Sequence, residues 1–433
     1  VSRVLLIGFG VEGRAAARHF LARGDEIIAA DKSASDRPCP EEFARNATFR
    51  WMTEAEAVKE LSTSDLVLRS PGIPPFHDLV KAALAAGKNV TTPTGYWLAH
   101  HAPANTITVT GSKGKSTTVT LIVGLLGAMG RNAAPHGNIG LPPLDSAPTT
   151  ADYPVLELSS YMLHDVPDGP YAHLVTNLFR EHTPWHGSEE NYHAAKLRPF
   201  FFTPPRPGLS AAGIIERYGL PEEVQAIEEY AQITDDHLII GDRHLAITEL
   251  PVFFRAGPNL IALRNAVAMV RKVTGAPVPL EAVLATAVNF RSLPSRQEKV
   301  PSTDGRDWIN DALATVPEAV LHALTRFADR EITLLLGGAD REQNFTALAG
   351  EISRVPRVTP LIFGSTATRL SDALTAQKTK FTACESFEAA IETAAKMTPP
   401  GGVILFSPAA ASEPPHDNYT VRARIFTEAA ASA

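Results

Sequence analysis

The sequence predicts an α/β protein of three domains, because three strands share one phrase. Each is a short β-branched apolar run that meets glycine and passes into a helical pattern. Val4 to Ile7 precedes Gly8-Phe9-Gly10-Val11-Glu12-Gly13, Thr106 to Thr110 precedes Gly111, and Ile332 to Leu336 precedes Gly337-Gly338-Ala339-Asp340-Arg341. Buried parallel strands read as such runs, and intervening helices return the chain across the sheet. A length of 433 residues also exceeds one ordinary core. Proline, polar and small residues gather near Pro93 to Asn105 and near Asn289 to Ser295, so the domains are expected at 1–93, 94–290 and 291–433. The Pro/Gly-rich stretch Thr203 to Gly208 reads as a loop inside the middle domain.

Hydrophobic residues make up 44% of the chain and charged residues 20%, the balance of a globular protein. Lys and Arg number 40 against 47 Asp and Glu, a formal charge of −7. That leaves no global basic footprint for nucleic acid, while a local cationic site for a small anion stays open. Cys39 and Cys384 lie far apart without metal-ligand neighbours, which fits a reducing cytoplasm better than a disulfide framework. Val1 to Ile7 reads as a strand rather than a leader, and no apolar run is long enough to span a bilayer. Neither a nucleic-acid nor a membrane partner is expected.

The stretch Thr110-Gly111-Ser112-Lys113-Gly114-Lys115-Ser116-Thr117-Thr118 carries the clearest chemistry. Glycines after a strand let backbone N–H groups close around a phosphate, a lysine adds a point charge, and a hydroxyl ligates Mg²⁺. Lys115 is expected at the β/γ-phosphates and Ser116 or Thr117 at the metal. The motif departs from G-x-x-x-x-G-K-[ST], because Val109 stands at the first glycine position. Gly8-x-Gly10-x-x-Gly13, followed by Asp31, fits a diphosphate-binding turn that either NAD or a nucleotide-sugar would satisfy.

Glu157 ends the apolar run of Val155-Leu156 and precedes Leu158-Ser159-Ser160-Tyr161. A carboxylate there needs a partner when buried, and a metal shared with the phosphate loop would supply one. His182, in Asn177-Leu178-Phe179-Arg180-Glu181-His182, reads alone as a surface histidine or a Mg²⁺ ligand, and Lys196 as a solvated charge. No spacing supports zinc. Leu293 to Glu298, Trp308 to Thr315 and Phe406 to Ser412 are polar clusters of the kind found in loops at the carboxyl ends of strands.

Taken together and in order, these motifs resemble the Mur ligases of peptidoglycan synthesis, the MurD type above all. The resemblance spans nearly the whole chain. It rests on Gly111 to Thr118, Gly137-Asn138-Ile139-Gly140-Leu141-Pro142, Glu157-Leu158-Ser159-Ser160, Glu181-His182, Ala194-Ala195-Lys196-Leu197, Asn310-Asp311 and Ser407-Pro408. It implies an N-terminal Rossmann-like domain, a central P-loop ATPase-type parallel sheet and a C-terminal Rossmann-like domain. The implied reaction uses ATP and Mg²⁺ to add glutamate to UDP-N-acetylmuramoyl-L-alanine through an acyl phosphate, in a cytoplasmic monomer.

The resemblance also assigns residues. UDP-substrate contacts fall to Gly8, Phe9, Gly10, Val11, Asp31, Ser70, Pro71, Gly72 and Asn138. ATP falls to Gly111, Ser112, Lys113, Gly114, Lys115, Ser116, Thr117, Asn259, Arg296 and Asp311. The metal falls to Ser116, Glu157, His182 and Lys196, with Lys196 carbamylated by CO₂. Lys115, Glu157, His182 and Lys196 form the implied catalytic set, and glutamate falls to Thr315, Arg341, Ser407 and Ser412.

Several positions depart from the MurD pattern. Leu313 stands where the type carries a lysine, Arg341 replaces another lysine, Ala262 replaces the second adenine-side asparagine, and Ser112-Lys113 replaces Thr-Asn. A guanidinium fork does not place a carboxylate as an ammonium does. Ser112-Lys113 and the stretch Asn177 to Ser188, which is unlike the usual MurD wording, resemble the variant subgroup that adds L-glutamate and relies on a separate epimerase, with a D-glutamate-adding enzyme as the alternative. Folylpolyglutamate synthases share the phosphate loop but usually lack the first glycine-fingerprint domain. A non-catalytic nucleotide-sugar binder would not need Lys115, Glu157, His182 and Lys196 together, and an NAD-dependent oxidoreductase is a further rival.

Overall fold

The computed structural model describes residues 1–145, 152–179, 181–255, 257–291, 294–355, 357–416 and 418–433. Arg180 and Leu293, each part of a motif above, lie outside the described residues, as does the side chain of Pro184. The chain forms two compact units, Val1–Asn289 and Phe290–Ala433. Among the described residues no helix is long and apolar enough to cross a membrane.

The first unit opens with five parallel strands: β1 (Arg3–Ile7), β2 (Glu26–Ala30), β3 (Phe49–Met52), β4 (Leu66–Arg69) and β5 (Val90–Thr91). Their order is β3-β2-β1-β4-β5. Alternate residues of β1 enter different cores, Val4 and Leu6 one, Leu5 and Ile7 the other. Burial on both faces is why this strand is a continuous apolar run rather than an alternating one.

The helix Val11–Ala22 follows the first glycine turn and buries Ala15, Ala16, Ala17 and Phe20. Its first turn also buries Glu12, whose carboxylate accepts from Thr94 Oγ1 at 2.9 Å and Thr94 N at 3.3 Å. Burial pushes the Glu12 pKa up to about 7, against the hydrogen bonds from Thr94. The folded chain therefore holds this proton more tightly than the unfolded chain. The resulting stability is complete below the ordinary glutamate range and is lost as pH rises through about 7. Glu12→Gln is expected to flatten that loss. Thermal midpoints at pH 5 and pH 8 check it: wild type should lose more than the variant between the two.

The second sheet of this unit contains β6 (Thr106–Thr110), β7 (Ala133–Gly137), β8 (Tyr153–Glu157), β9 (Tyr171–Val175), β10 (Gly208–Ser210) and β11 (Val224–Ala226). Its order is β11-β10-β9-β6-β8-β7, with every pair parallel. The helix Lys115–Ala128 packs against the helices Gly257–Thr274 and Leu280–Asn289. A small antiparallel sheet joins β12 (Gln232–Ile233), β13 (His237–Ile240) and β14 (Arg243–Ala246).

Arg69 ties the two large sheets of the first unit together. Its side chain is fully buried at the end of β4 and forms a bidentate pair with Asp165, at 2.6 and 2.8 Å. Nη2 also donates to the Tyr161 carbonyl at 2.8 Å, and Nη1 to the carbonyls of Ser70, Pro71 and Ile73. One guanidinium thus shapes the Ser70–Ile73 turn and holds the segment after β8.

The second unit is a six-stranded sheet of β15 (Glu298–Val300), β16 (Asp307–Asn310), β17 (Ile332–Gly337), β18 (Val358–Phe363), β19 (Thr382–Ala383) and β20 (Val403–Phe406). The order is β15-β16-β20-β17-β18-β19, parallel except for β15 against β16. In β17, Leu334 and Leu336 face one core and Leu335 the other.

Candidate active site

The site in the first unit is built at the carboxyl ends of β6, β8 and β9, where an open parallel sheet places its ligands. β6 is buried throughout and runs into Gly111, whose φ is +145°. A Cβ at Gly111 would fall on Thr176 Oγ1, so side-chain-free backbone is required there. Gly8 is in a similar position at the other sheet. With φ at +82°, its absent Cβ leaves room for Ile73 and Ser70.

The loop that follows is tied down by the segment after β9. Ser112 N donates to the Asn177 carbonyl at 2.9 Å, and Lys113 N to Asn177 Oδ1 at 2.8 Å. Thr176 Oγ1 and Asn177 Nδ2 both donate to the Lys113 carbonyl. Tyr192 Oη donates to Ser112 Oγ at 3.0 Å. With the amides of Ser112 and Lys113 turned away, the donors left to face a phosphate begin at Gly114 and the N-terminus of Lys115–Ala128. Lys115 Nζ folds onto the carbonyls of Gly111 and Ser112, at 2.9 and 3.0 Å.

Glu157 is the last residue of β8, in register with Val109, and is fully buried. Its Oε1 accepts from Asn138 Nδ2 at 2.8 Å, while Oε2 finds no hydrogen-bond partner among the described residues. Ser116 Oγ is likewise buried and unpartnered. Two orphaned oxygens beside a phosphate loop are costly unless a cation or water completes them. They fit Mg²⁺, which takes one or two protein oxygens together with phosphate and water. Among the described residues, no cluster of three His, Cys, Asp or Glu forms a metal cage.

Lys196 lies on the helix Glu189–Leu197 with 1% of its surface exposed. Nζ donates to the Gly111 carbonyl at 2.9 Å and to Thr110 Oγ1 at 3.2 Å, over the Tyr192 ring. Burial, reinforced by Lys115, holds its pKa well below the usual lysine value against the pull of Glu181 and Glu157. A neutral amine is the nucleophilic form of lysine. His182 sits on an exposed bend after β9, and burial of its ring lowers its pKa. Its neighbour Glu181 pairs with Lys113, tying this bend to the phosphate loop.

The first glycine turn is more self-occupied than its sequence suggests. Phe9 is buried among Phe43, Phe49 and Trp51, and its N–H donates to Asp31 Oδ2 at 2.8 Å. Asp31 Oδ1 takes Ser33 N and Oγ. Ser70 Oγ donates to the Gly8 carbonyl at 2.8 Å. Gly10, Val11 and Gly72 are exposed and Pro71 is half-buried. Asn138, read as a substrate contact, holds Glu157 here. Asn259 is half-buried near the start of Gly257–Thr274.

The second unit gathers its own set at the ends of β16, β17 and β20. Asp311 accepts from Ser407 Oγ at 2.7 Å and from Gln297 N at 3.1 Å, and burial pushes its pKa up to about 7. Arg296 and Arg341 are exposed, Thr315 and Leu313 half-buried. Ser412 Oγ is buried without a partner among the described residues. The fully buried Arg422 donates to the carbonyls of Gly337 and Ala410, at 3.0 and 3.1 Å, and so joins the loops after β17 and β20.

Sequence reasoning passed over Arg69, Tyr192 and Arg422, and named Asn177 without a role, yet these residues order the loops. One signal was present: Arg69, like Glu157, is a charge ending an apolar strand.

Three family models match the chain: "Mur ligase MurD-like, N-terminal domain" over residues 2–92, "Mur ligase middle domain" over 109–209, and "Mur ligase, glutamate ligase domain" over 295–410. A protein of a Micromonospora species named UDP-N-acetylmuramoyl-L-alanine--L-glutamate ligase is 33% identical, covering 98% of this chain and 96% of its own. A protein of the same name from Salinispora tropica is 33% identical over 99% of this chain and 97% of its own. Among solved structures, UDP-N-acetylmuramate-alanine ligase MurC from Thermotoga maritima shares the fold, with a TM-score of 0.59 and 15% identity over 99% of each chain.

Proposed function

This chain belongs to the Mur ligase family of ATP-dependent amide-bond-forming enzymes, and from that premise we propose that it adds L-glutamate to UDP-N-acetylmuramoyl-L-alanine. The observation that carries the chemistry is the convergence of Lys115, Ser116, Glu157 and Lys196 at the ends of β6 and β8, with His182 on the bend after β9. The relatives' name supports the substrates and the L enantiomer. Ser112-Lys113 and the stretch Asn177 to Ser188, which depart from the usual MurD wording, support the same reading.

The alanyl carboxylate is a poor electrophile, so its oxygen attacks the γ-phosphorus of ATP, displacing ADP and forming an acyl phosphate. Lys115 moves from the Gly111 and Ser112 carbonyls to the β/γ-phosphates and offsets the charge gathered as two anions meet. Ser116, Glu157 and His182 would hold Mg²⁺, whose charge supplies further electrostatic stabilisation at those oxygens. In its deprotonated form the Lys196 amine attacks CO₂ and loses one proton, and the resulting carbamate turns a buried amine into a carboxylate-like anion. The glutamate amine then attacks the acyl carbon, a tetrahedral intermediate forms, and phosphate departs. In the second unit, Arg341, Thr315, Ser407 and Ser412 would address glutamate.

The test supplies UDP-N-acetylmuramoyl-L-alanine and ATP with each glutamate enantiomer and follows phosphate release. Release with L-glutamate is expected. Turnover with D-glutamate alone would reverse the enantiomer, and silence with both would remove the substrate assignment.

A further inference from the structure

We infer that Tyr161 is a positioning residue for His182: its hydroxyl engages Nδ1 and leaves Nε2 as the nitrogen that faces a divalent cation. The inference deepens the reading of His182 given above and rests on it. Tyr161 Oη and His182 Nδ1 lie 2.9 Å apart. An imidazole that gives one nitrogen lone pair to a cation carries its proton on the other. With Nε2 toward the cation, the hydrogen bond runs from Nδ1–H to the Tyr161 oxygen. Such a bond fixes both ring orientation and tautomer, and metal sites depend on it.

The phenol is itself held at two points. Its ring stacks on Trp185 with centroids 4.5 Å apart and planes 26° from parallel. Trp185 in turn lies under the Arg69 guanidinium, 5.5 Å from its centroid. The Tyr161 carbonyl accepts from Arg69 Nη2 at 2.8 Å. His182 needs such outside support. Its backbone occupies the left-handed region, with φ at +52°, where a residue bearing Cβ stays only when its surroundings impose it. The bend after β9 is therefore not self-sufficient, and the Tyr161 hydroxyl meets the imidazole directly.

Tyr161→Phe keeps the stack and the main-chain bond and deletes only the hydroxyl. Mn²⁺ binding to the full chain in the presence of a nonhydrolysable ATP analogue, read by electron paramagnetic resonance, is expected to weaken about tenfold. His182→Ala is the reference and should weaken it at least as much. If His182→Ala weakens binding and Tyr161→Phe does not, the inference about Tyr161 is overturned while the cation reading stands. If His182→Ala changes nothing, the cation reading fails and takes this inference with it.

A second readout separates positioning from general structural support. In long-range ¹H–¹⁵N spectra of the wild-type complex with Mg²⁺ and the analogue, His182 should carry its proton on Nδ1. The signal is assigned by its loss in His182→Ala. A proton on Nε2 would overturn the proposal.

Discussion

Lys196→Met is expected to lower turnover by about 10²–10³-fold, the usual cost of removing one preorganised charge from a reacting centre, while leaving the chain at least as stable as wild type. The two effects have one origin. Lys196 is 1% exposed, and its hydrogen bonds go to a hydroxyl and a carbonyl rather than a carboxylate. Burial holds its pKa well below the ordinary lysine value. The unfolded chain therefore binds this proton more readily than the folded chain. The penalty on folding grows as pH falls through the unfolded lysine range and is complete below the folded pKa.

Methionine has nearly the same length, no charge to desolvate and no amine to take up CO₂. Phosphate release and thermal midpoint, measured together at neutral pH, check both halves. Unchanged turnover would remove Lys196 from the catalytic set. A large fall in midpoint would show that the amine contributes more through its two hydrogen bonds than it loses by burial.

Arg69→Met should destabilise the chain by about 3–5 kcal/mol, the cost of breaking a buried pair and leaving its partner charge behind. Asp165 keeps 20% of its side-chain surface, so water recovers part of its solvation but not all. The carbonyls of Ser70, Pro71, Ile73 and Tyr161 lose their shared donor at the same time. Urea unfolding measures it: a lower midpoint with an unchanged slope is the expected signature. A change below about 1 kcal/mol would mean that the pair behaves as an exposed salt bridge. Arginine is needed for geometry as well as charge, because one planar fork reaches a carboxylate and four carbonyls.

The strands β1, β6 and β17 were legible because burial on both faces forces an unbroken apolar run, which needs no knowledge of distant partners. The phosphate loop was legible for a related reason: a strand, a glycine, a lysine and a helix start are all local. Glu157, His182 and Lys196 are different. Glu157 was readable alone as a carboxylate ending an apolar strand, but the strand order that puts β6 between β8 and β9 is invisible along the chain, so His182 and Lys196 rose only through the resemblance.

Side-chain economy was also hidden. Phe9 and Asp31 read as ligand contacts in the first glycine turn, yet the fold spends Asp31 on the Phe9 amide and on Ser33. Asn138 reads as a substrate contact and holds Glu157. Arg69 meets Asp165 across 96 residues of sequence, and no short window exposes such a pair.

The bonds from Asn177 to the tip of the phosphate loop bear on the thermodynamics of nucleotide capture. A flexible loop must surrender conformational entropy when it closes on a ligand, and that loss subtracts from whatever the contacts gain. Here Ser112 and Lys113 are hydrogen-bonded to Asn177 and Thr176, partners that the fold itself supplies. Part of the ordering that a phosphate-binding loop needs is thereby provided by folding. Asn177 is therefore expected to act on affinity without lending an atom to the nucleotide.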